Sequence, residues 1–454
     1  MSEVIAAIST PLVSSGIGVI RISGENSFAV ADAVFRSASG KKIAEISGYQ
    51  ALYGRIFDKN GEVDEVVALK FTAPHSFTGE NVVEFSCHGS VYILKRVLAA
   101  LLQSGARLAK AGEFTRRAFE NGKMDLSAAE SVMQLIGAES SLEHAAAISG
   151  REGVLYRRIG EIRDRLVTLA GHLSAWVDFP DEDVPEVDEN ELLDGLQFAK
   201  KELSRLLSDF ENGRILREGI DTVIVGKPNV GNSTFMNLLC GSERSIVTDV
   251  AGTTRDIVEE SVTVGGVKLR LSDTAGLHDT DDKVEKIGVN MARSRIETAS
   301  LILAVFDGSC PLDKDDLALI SSLDGKKAVA IINKCDLESQ INTNLVAENI
   351  PFVVSVSAKT GDGAEKIGKA VAERVGADSI DPSAGILTTE RQRDCVLRAE
   401  NAVTEGEAAL TAGLTFDAVG VMLDEAIAAL CELSGERVSE TIVDEVFSSF
   451  CVGK

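Results

Sequence analysis

The chain has 454 residues, of which 26% are charged and 44% hydrophobic, and its formal net charge is −24. That length exceeds what a single core supports and implies two to four domains of ordinary folded composition. So acidic a surface repels phosphate backbones, which excludes general nucleic-acid binding; any RNA contact needs a local basic patch or a second protein.

No apolar run reaches the roughly 18 to 20 residues that span a bilayer. The opening MSEVIAAISTPLVSSG carries an acid where a signal peptide carries basic residues. Seven cysteines (Cys87, Cys240, Cys310, Cys335, Cys395, Cys431, Cys451) are scattered and lack any CxxC pair. That pattern argues against a disulfide framework or a zinc site, and for a protein of the reducing cytoplasm. The histidines (His75, His88, His144, His172, His278) show no metal spacing.

Residues 1–118 mix β-rich runs, GVIRIS and VVALKFTA, with the helical stretch VYILKRVLAALLQSG, which predicts an α+β domain. Residues 119–216 turn helical. LSAAESVMQLIGAESS opens with a capping-box spacing, Ser127 to Glu130, and GREGVLYRRIGEIRDRLVTLAGHLSAWVDF has apolar residues three and four apart. The acidic DFPDEDVPEVDENE reads as a solvated linker.

Between 217 and 376, DTVIVG, VKLRLSDTAG, LILAVFDGS, KAVAIINKCD and PFVVSVSAK alternate with helical or loop segments, predicting βαβ units and a mainly parallel sheet. Helical texture returns after 385, so 377–454 completes a helical domain that an α/β domain interrupts. Insertion is tolerated where domain termini lie close together.

The inserted region carries five elements in the order a guanine-nucleotide site requires. GKPNVGNST (226–234) ends a strand and opens a helix, and Asn229, Val230, Gly231, Asn232, Ser233 and Thr234 form its phosphate-facing part. Ser233 can ligate Mg²⁺. Next come Thr248, Asp249, Val250 and Ala251, leading into GTTRD with Gly252, Thr253 and Thr254. DTAG (Asp273, Thr274, Ala275, Gly276) ends the next strand and suits a metal-bound water and a γ-phosphate contact. In NKCD (Asn333, Lys334, Asp336) the carboxylate can accept the two guanine N–H groups that adenine lacks. SAK (Ser357, Ala358, Lys359) closes the base pocket.

Two positions depart from the pattern. Asn232 stands where the loop lysine belongs, and a neutral amide supplies no charge to β- and γ-phosphates. The loss is worth on the order of 2 to 5 kcal/mol. Lys227 is the nearest substitute, although its stem starts at the opposite end of the loop. Leu277 follows DTAG where many switch GTPases place a water-orienting Gln, and among the acids beyond it the residues alone rank Glu285 no higher than Asp281 or Asp282.

With these residues in hand, the whole chain resembles the MnmE/TrmE family of tRNA-modification GTPases. The resemblance lies in TPLVSSGIGVIRISG, SFTGENVVEFSCHGS, GEFTRRAFENGKMDLSAAE, the five nucleotide elements and the terminal FCVGK. It implies a multidomain α/β protein: an N-terminal α+β domain for dimerisation and folate binding, a discontinuous all-α domain, and an inserted Ras-like G domain. It further implies that G domains pair across a K⁺ ion, whose ligands here match Asn229, Thr248, Val250 and Thr253. Ser233 and Thr254 match the Mg²⁺ ligands, and Glu285 matches a water-positioning glutamate. Arg21, Glu84, Lys123 and Lys454 match positions that bind a formyl-tetrahydrofolate, and Cys451 matches a cysteine required for tRNA modification. The implied function is addition of a carboxymethylaminomethyl or aminomethyl group to C5 of the tRNA wobble uridine, with a FAD- and NADH-dependent partner and a folate one-carbon unit. That division of labour suits the acidic surface, with Arg116, Arg117, Arg391 and Arg393 as candidate basic points on this chain. The rival expectation is a folate-bound dimeric scaffold whose G domain is impaired at Asn232.

Overall fold

The computed structural model describes residues 3–178, 187–242, 260–271 and 296–453. They fall into two compact units: Met1–Met133, Arg151–Gln197 and Asn401–Lys454 form one, Gln134–Gly150 and Phe198–Glu400 the other. Among the described residues no helix is long and apolar enough to cross a membrane.

In the first unit, β1 (Ile5–Ile8), β2 (Ile17–Ser23), β3 (Phe35–Ser37), β4 (Ala51–Asp58), β5 (Gly61–Phe71), β6 (Val82–His88) and β7 (Arg107–Leu108) form one sheet. Its order is β3-β4-β5-β6-β2-β1-β7, antiparallel except where β1 meets β7. Period-two alternation sends Ile20, Ile22, Ala68, Val83 and Phe85 to one face. There they pack with Val30, Ala31, Leu94, Val97 and Leu101 of α1 (Ser27–Val34) and α2 (Val91–Gln103). On the other face Ile5 and Ala7 meet Phe114, while Tyr53 and Val67, paired across β4 and β5, stay exposed.

The helices that follow are α3 (Glu113–Glu120), α4 (Leu126–Gly137), α5 (Ser141–Arg151), α6 (Val154–Asp178), α7 (Glu189–Ser208) and α8 (Phe210–Glu218). Leu155, Ile159, Ile162, Leu166, Leu169 and Leu173 recur at three and four residues along α6 and are all buried. Two local expectations change. The cap of α4 is Asp125, whose Oδ1 accepts the Ala128 N–H at 3.0 Å; Ser127 lies inside the helix, so its spacing to Glu130 is coincidental. The acidic stretch is helical from Glu189 onward, with Glu189 and Glu191 in the first turn, where carboxylates favour the positive end of the helix dipole. Its central residues, 179–186, lie outside the described residues.

The second unit carries β8 (Ile220–Gly226), β9 (Glu260–Val264), β10 (Val267–Leu271), β11 (Leu301–Asp307), β12 (Ala328–Asn333) and β13 (Val353–Ser355) in the order β13-β12-β11-β8-β10-β9. All pairs are parallel except the β9–β10 hairpin. Because both faces are covered, β11 is a continuous apolar run. Leu301, Leu303 and Val305 enter one core cluster, and Ile302, Ala304 and Phe306 enter another. The remaining helices are α9 (Asn232–Ser242), α10 (Lys314–Ser322), α11 (Thr343–Asn349), α12 (Ala364–Val375), α13 (Glu390–Thr411), α14 (Phe416–Ser434) and α15 (Glu440–Ser448). Within the first unit, α14 packs along α6, and Arg116 of α3 pairs with Glu440 and Asp444 of α15.

Candidate nucleotide site

The carboxyl ends of β8, β11, β12 and β13 open on one edge of the parallel sheet, the usual position for a ligand in such a fold. From β8 the chain turns through Lys227–Gly231 into α9, with Asn229 at φ +69° and Gly231 at φ +99°. A Cβ at 226 would lie 2.6 Å from the Val305 carbonyl, and one at 231 would lie 2.4 Å from Asn333 Nδ2. Both glycines are therefore required by close approach. The first amides of α9 face the turn, as an anion site demands.

The NKCD segment is tied to this loop. Asn333 Nδ2 donates to the Val230 carbonyl at 2.8 Å, and Asn333 Oδ1 accepts the Ala358 N–H at 2.9 Å. Lys334 Nζ donates to the Asn229 carbonyl at 3.0 Å and to Asp307 Oδ2 at 2.6 Å. Burial raises the carboxyl of Asp307, but its bonds from Lys334 and Ser309 outweigh that and hold it below the usual range. The Asp336 carboxyl is exposed and lowered, chiefly by the Ser357 hydroxyl, so it is an acceptor at neutral pH. Lys359 is also exposed.

Asn232 opens α9, and its amide turns back on the loop: Nδ2 donates to the carbonyls of Gly226 at 3.2 Å and Lys227 at 3.4 Å. Its Oδ1 is buried and has no hydrogen-bond partner among the described residues. Lys227 does not take over the missing charge. Its Nζ lies 2.6 Å from Asp313 and 2.8 Å from Asp316, the capping pair of α10. Partial burial opposes its charge, but the two carboxylates hold its pKa above the ordinary value. The sequence reading missed Asp307, Asp313 and Asp316; their signal was the acidic run DGSCPLDKDD directly after an apolar strand.

Ser233 and Thr234 are exposed on the first turn of α9. Thr248, Asp249, Val250, Ala251, Gly252, Thr253, Thr254, Asp273, Thr274, Ala275, Gly276, Leu277, Glu285 and Lys454 lie outside the described residues.

In the first unit, Arg21 and Glu84 are cross-strand partners, with Arg21 Nε 2.8 Å from Glu84 Oε1. The Arg21 guanidinium stands over the rings of Phe77 and Phe114, 5.4 and 5.6 Å from their centroids. Lys123 Nζ donates to the Pro74 carbonyl at 3.1 Å, so Arg21 and Lys123 both meet the 74–77 loop. Cys451 is exposed; its carbonyl accepts the Gly112 N–H, and Val452 bridges to Ala111. His88 is held by Asp64, which accepts from both its backbone N–H and its ring. The candidate RNA contacts are otherwise engaged. Arg117 is buried between Glu80 and Glu113, Arg116 pairs with three carboxylates, and Arg393 pairs with Glu390.

Sheet order, loop and base-side segment define a guanine-nucleotide domain inside a multidomain α/β protein. The profile of the N-terminus of the GTP-binding protein TrmE matches residues 4–123, and that of the MnmE helical domain matches residues 126–451. The chain is 42% identical to the tRNA modification GTPase MnmE of Symbiobacterium thermophilum, covering 100% of this chain and 99% of that one. It is 40% identical to the protein of that name from Alkaliphilus metalliredigens and 38% to that from Clostridioides difficile, each over the full length of both chains. The chain belongs to the MnmE family of tRNA modification GTPases.

Proposed function

We propose that this chain hydrolyses GTP in a K⁺-dependent manner within a homodimer, and that turnover drives a rearrangement required to modify C5 of the tRNA wobble uridine. The observation that carries the reading is the double tie between base side and phosphate side, Asn333 to Val230 and Lys334 to Asn229. It supports one pocket long enough for a nucleoside and its phosphates. Asp336 accepts from guanine, and Ala358, fixed by Asn333, lies beside the base.

Ser233 and Thr254 would hold Mg²⁺; Asn229, Thr248, Val250 and Thr253 would hold K⁺. These cations supply positive charge at the β- and γ-phosphates. The donor type fits at Ser233, whose hydroxyl stands exposed on the first turn of α9. Glu285 would orient the attacking water, a duty that Leu277 cannot perform.

Arg21, Glu84, Lys123 and Lys454 would bind a tetrahydrofolate. The partly buried Arg21–Glu84 pair beside Phe77 and Phe114 suits a flat heterocycle with N–H donors. Cys451 would act beside that pocket. The exposed Tyr53 and Val67 support dimerisation through the open sheet face. A FAD-dependent partner would supply redox chemistry and most of the tRNA contact in the cytoplasm, consistent with the paired state of Arg116 and Arg117.

A route for coupling is supported by residues 134–150, which pack with the G-domain elements although the chain before and after belongs to the other unit. Glu139 receives Lys268 Nζ at 2.8 Å, and its carbonyl accepts Thr263 Oγ1 at 3.0 Å, so the segment grips the β9–β10 hairpin. That hairpin links the stretch holding GTTRD to the stretch holding DTAG.

Asn232 together with the sequestered Lys227 favours a second reading, a folate-bound dimeric scaffold with an impaired G domain that binds partners without cycling. Turnover measured in KCl and in NaCl separates the two. Potassium-stimulated hydrolysis supports the first, and no hydrolysis in either salt supports the second.

A further inference from the structure

We infer that Asn232 is a positioning residue that holds the phosphate loop closed while supplying no charge. The inference rests on the guanine-nucleotide reading and deepens it.

The turn passes through left-handed backbone at Asn229 and Gly231, and a non-glycine residue persists there only when its surroundings enforce it. The fastenings divide by position. Asn333 and Lys334 secure the carbonyls of Val230 and Asn229 from the β12 side. Lys227 anchors the start of the loop to the capping aspartates of α10. Among the described residues, Asn232 is the side chain that reaches the first two carbonyls, those of Gly226 and Lys227, and so ties the end of the loop to its beginning.

The orientation of the amide shows what it serves. Its donor faces the loop's own carbonyls, while Oδ1 lies 2.8 Å from the point a Cβ on Gly226 would occupy. That buried oxygen has no partner among the described residues, a cost accepted for the two bonds on the nitrogen side. The side chain is thus held by the loop and offers a phosphate no cation.

The consequence is a split between binding and turnover. A preformed nest of backbone amides binds ground-state phosphate. Acceleration needs charge where negative charge develops, and the side chain at 232 adds none to it.

The test compares the full-length chain with Asn232→Ala and Asn232→Lys, using GDP affinity, single-turnover GTP hydrolysis in KCl and MgCl₂, and hydrogen exchange of the amides of Gly226, Lys227, Asn229, Val230 and Gly231 without nucleotide. Two net hydrogen bonds of about fivefold each predict that Asn232→Ala weakens GDP binding roughly 5- to 25-fold and speeds loop exchange by a similar factor. Asn232→Lys should raise turnover at least about tenfold and change GDP affinity by less. Unchanged affinity and unchanged loop exchange in Asn232→Ala would overturn the positioning role. Exchange needs no ligand, so faster loop exchange in a chain that never binds GDP would sink the nucleotide reading instead. Exchange that rises equally across the whole chain would show general destabilisation and would also overturn the inference.

Discussion

At the proposed base end of the site, Asn333 and Lys334 are locked by hydrogen bonds of 2.6 to 3.0 Å. At the phosphate end, Gly226 and Gly231 are equally constrained, yet the position after them, where the pattern has a cation, holds an amide that faces inward. The loop's shape and its charge are therefore separable properties. Backbone conformation and glycine spacing survive the replacement because neighbouring side chains enforce them; charge does not, because Lys227 and Lys334 already serve carboxylates.

The largest expected effect lies at the base end. Asp336→Asn removes the acceptor for two guanine N–H groups and should lower GDP affinity on the order of 10²-fold or more while improving binding of xanthosine diphosphate. Calorimetric titration with both nucleotides checks it, and a loss shared equally by the two would show a folding defect. At the phosphate end, Asn232→Lys should raise potassium-stimulated turnover at least about tenfold, read by phosphate release. An unchanged rate would mean that another group already supplies the charge.

Smaller effects come from the clamp between them. Lys227→Met should weaken GDP binding about two- to fivefold, because a partly exposed ion pair contributes modestly. Asp313 titrates at about 2, below its ordinary 3.8, chiefly through its bond from Lys227. A depressed carboxylate contributes stability above its unfolded pKa and loses it as pH falls through the folded value. Melting temperatures recorded from pH 5 to pH 2 should therefore fall less between pH 4 and pH 2 in Lys227→Met than in the parent. Parallel curves would show that the pair contributes nothing.

The parallel sheet was legible because buried strands read as short apolar runs: LILAVFD and AVAIIN are among its strands. The loop and NKCD were legible because their residue types at fixed spacing have a chemical reason. Pairings across long sequence separation were not. Lys227 meets Asp313 86 residues away, and Arg21 meets Glu84 only through the β2–β6 register. Local rules also misled where two patterns competed. Ser127 and Glu130 imitate a capping box just inside a helix that Asp125 caps, and Glu189 and Glu191 look like linker acids until the helix they begin is seen.

The most direct measurement is a paired titration of the full-length chain with GDP and with ADP in potassium and magnesium. Saturable binding of GDP, at least about 100-fold tighter than ADP, is the predicted result. Equal affinity for the two, or binding of neither, would contradict the account.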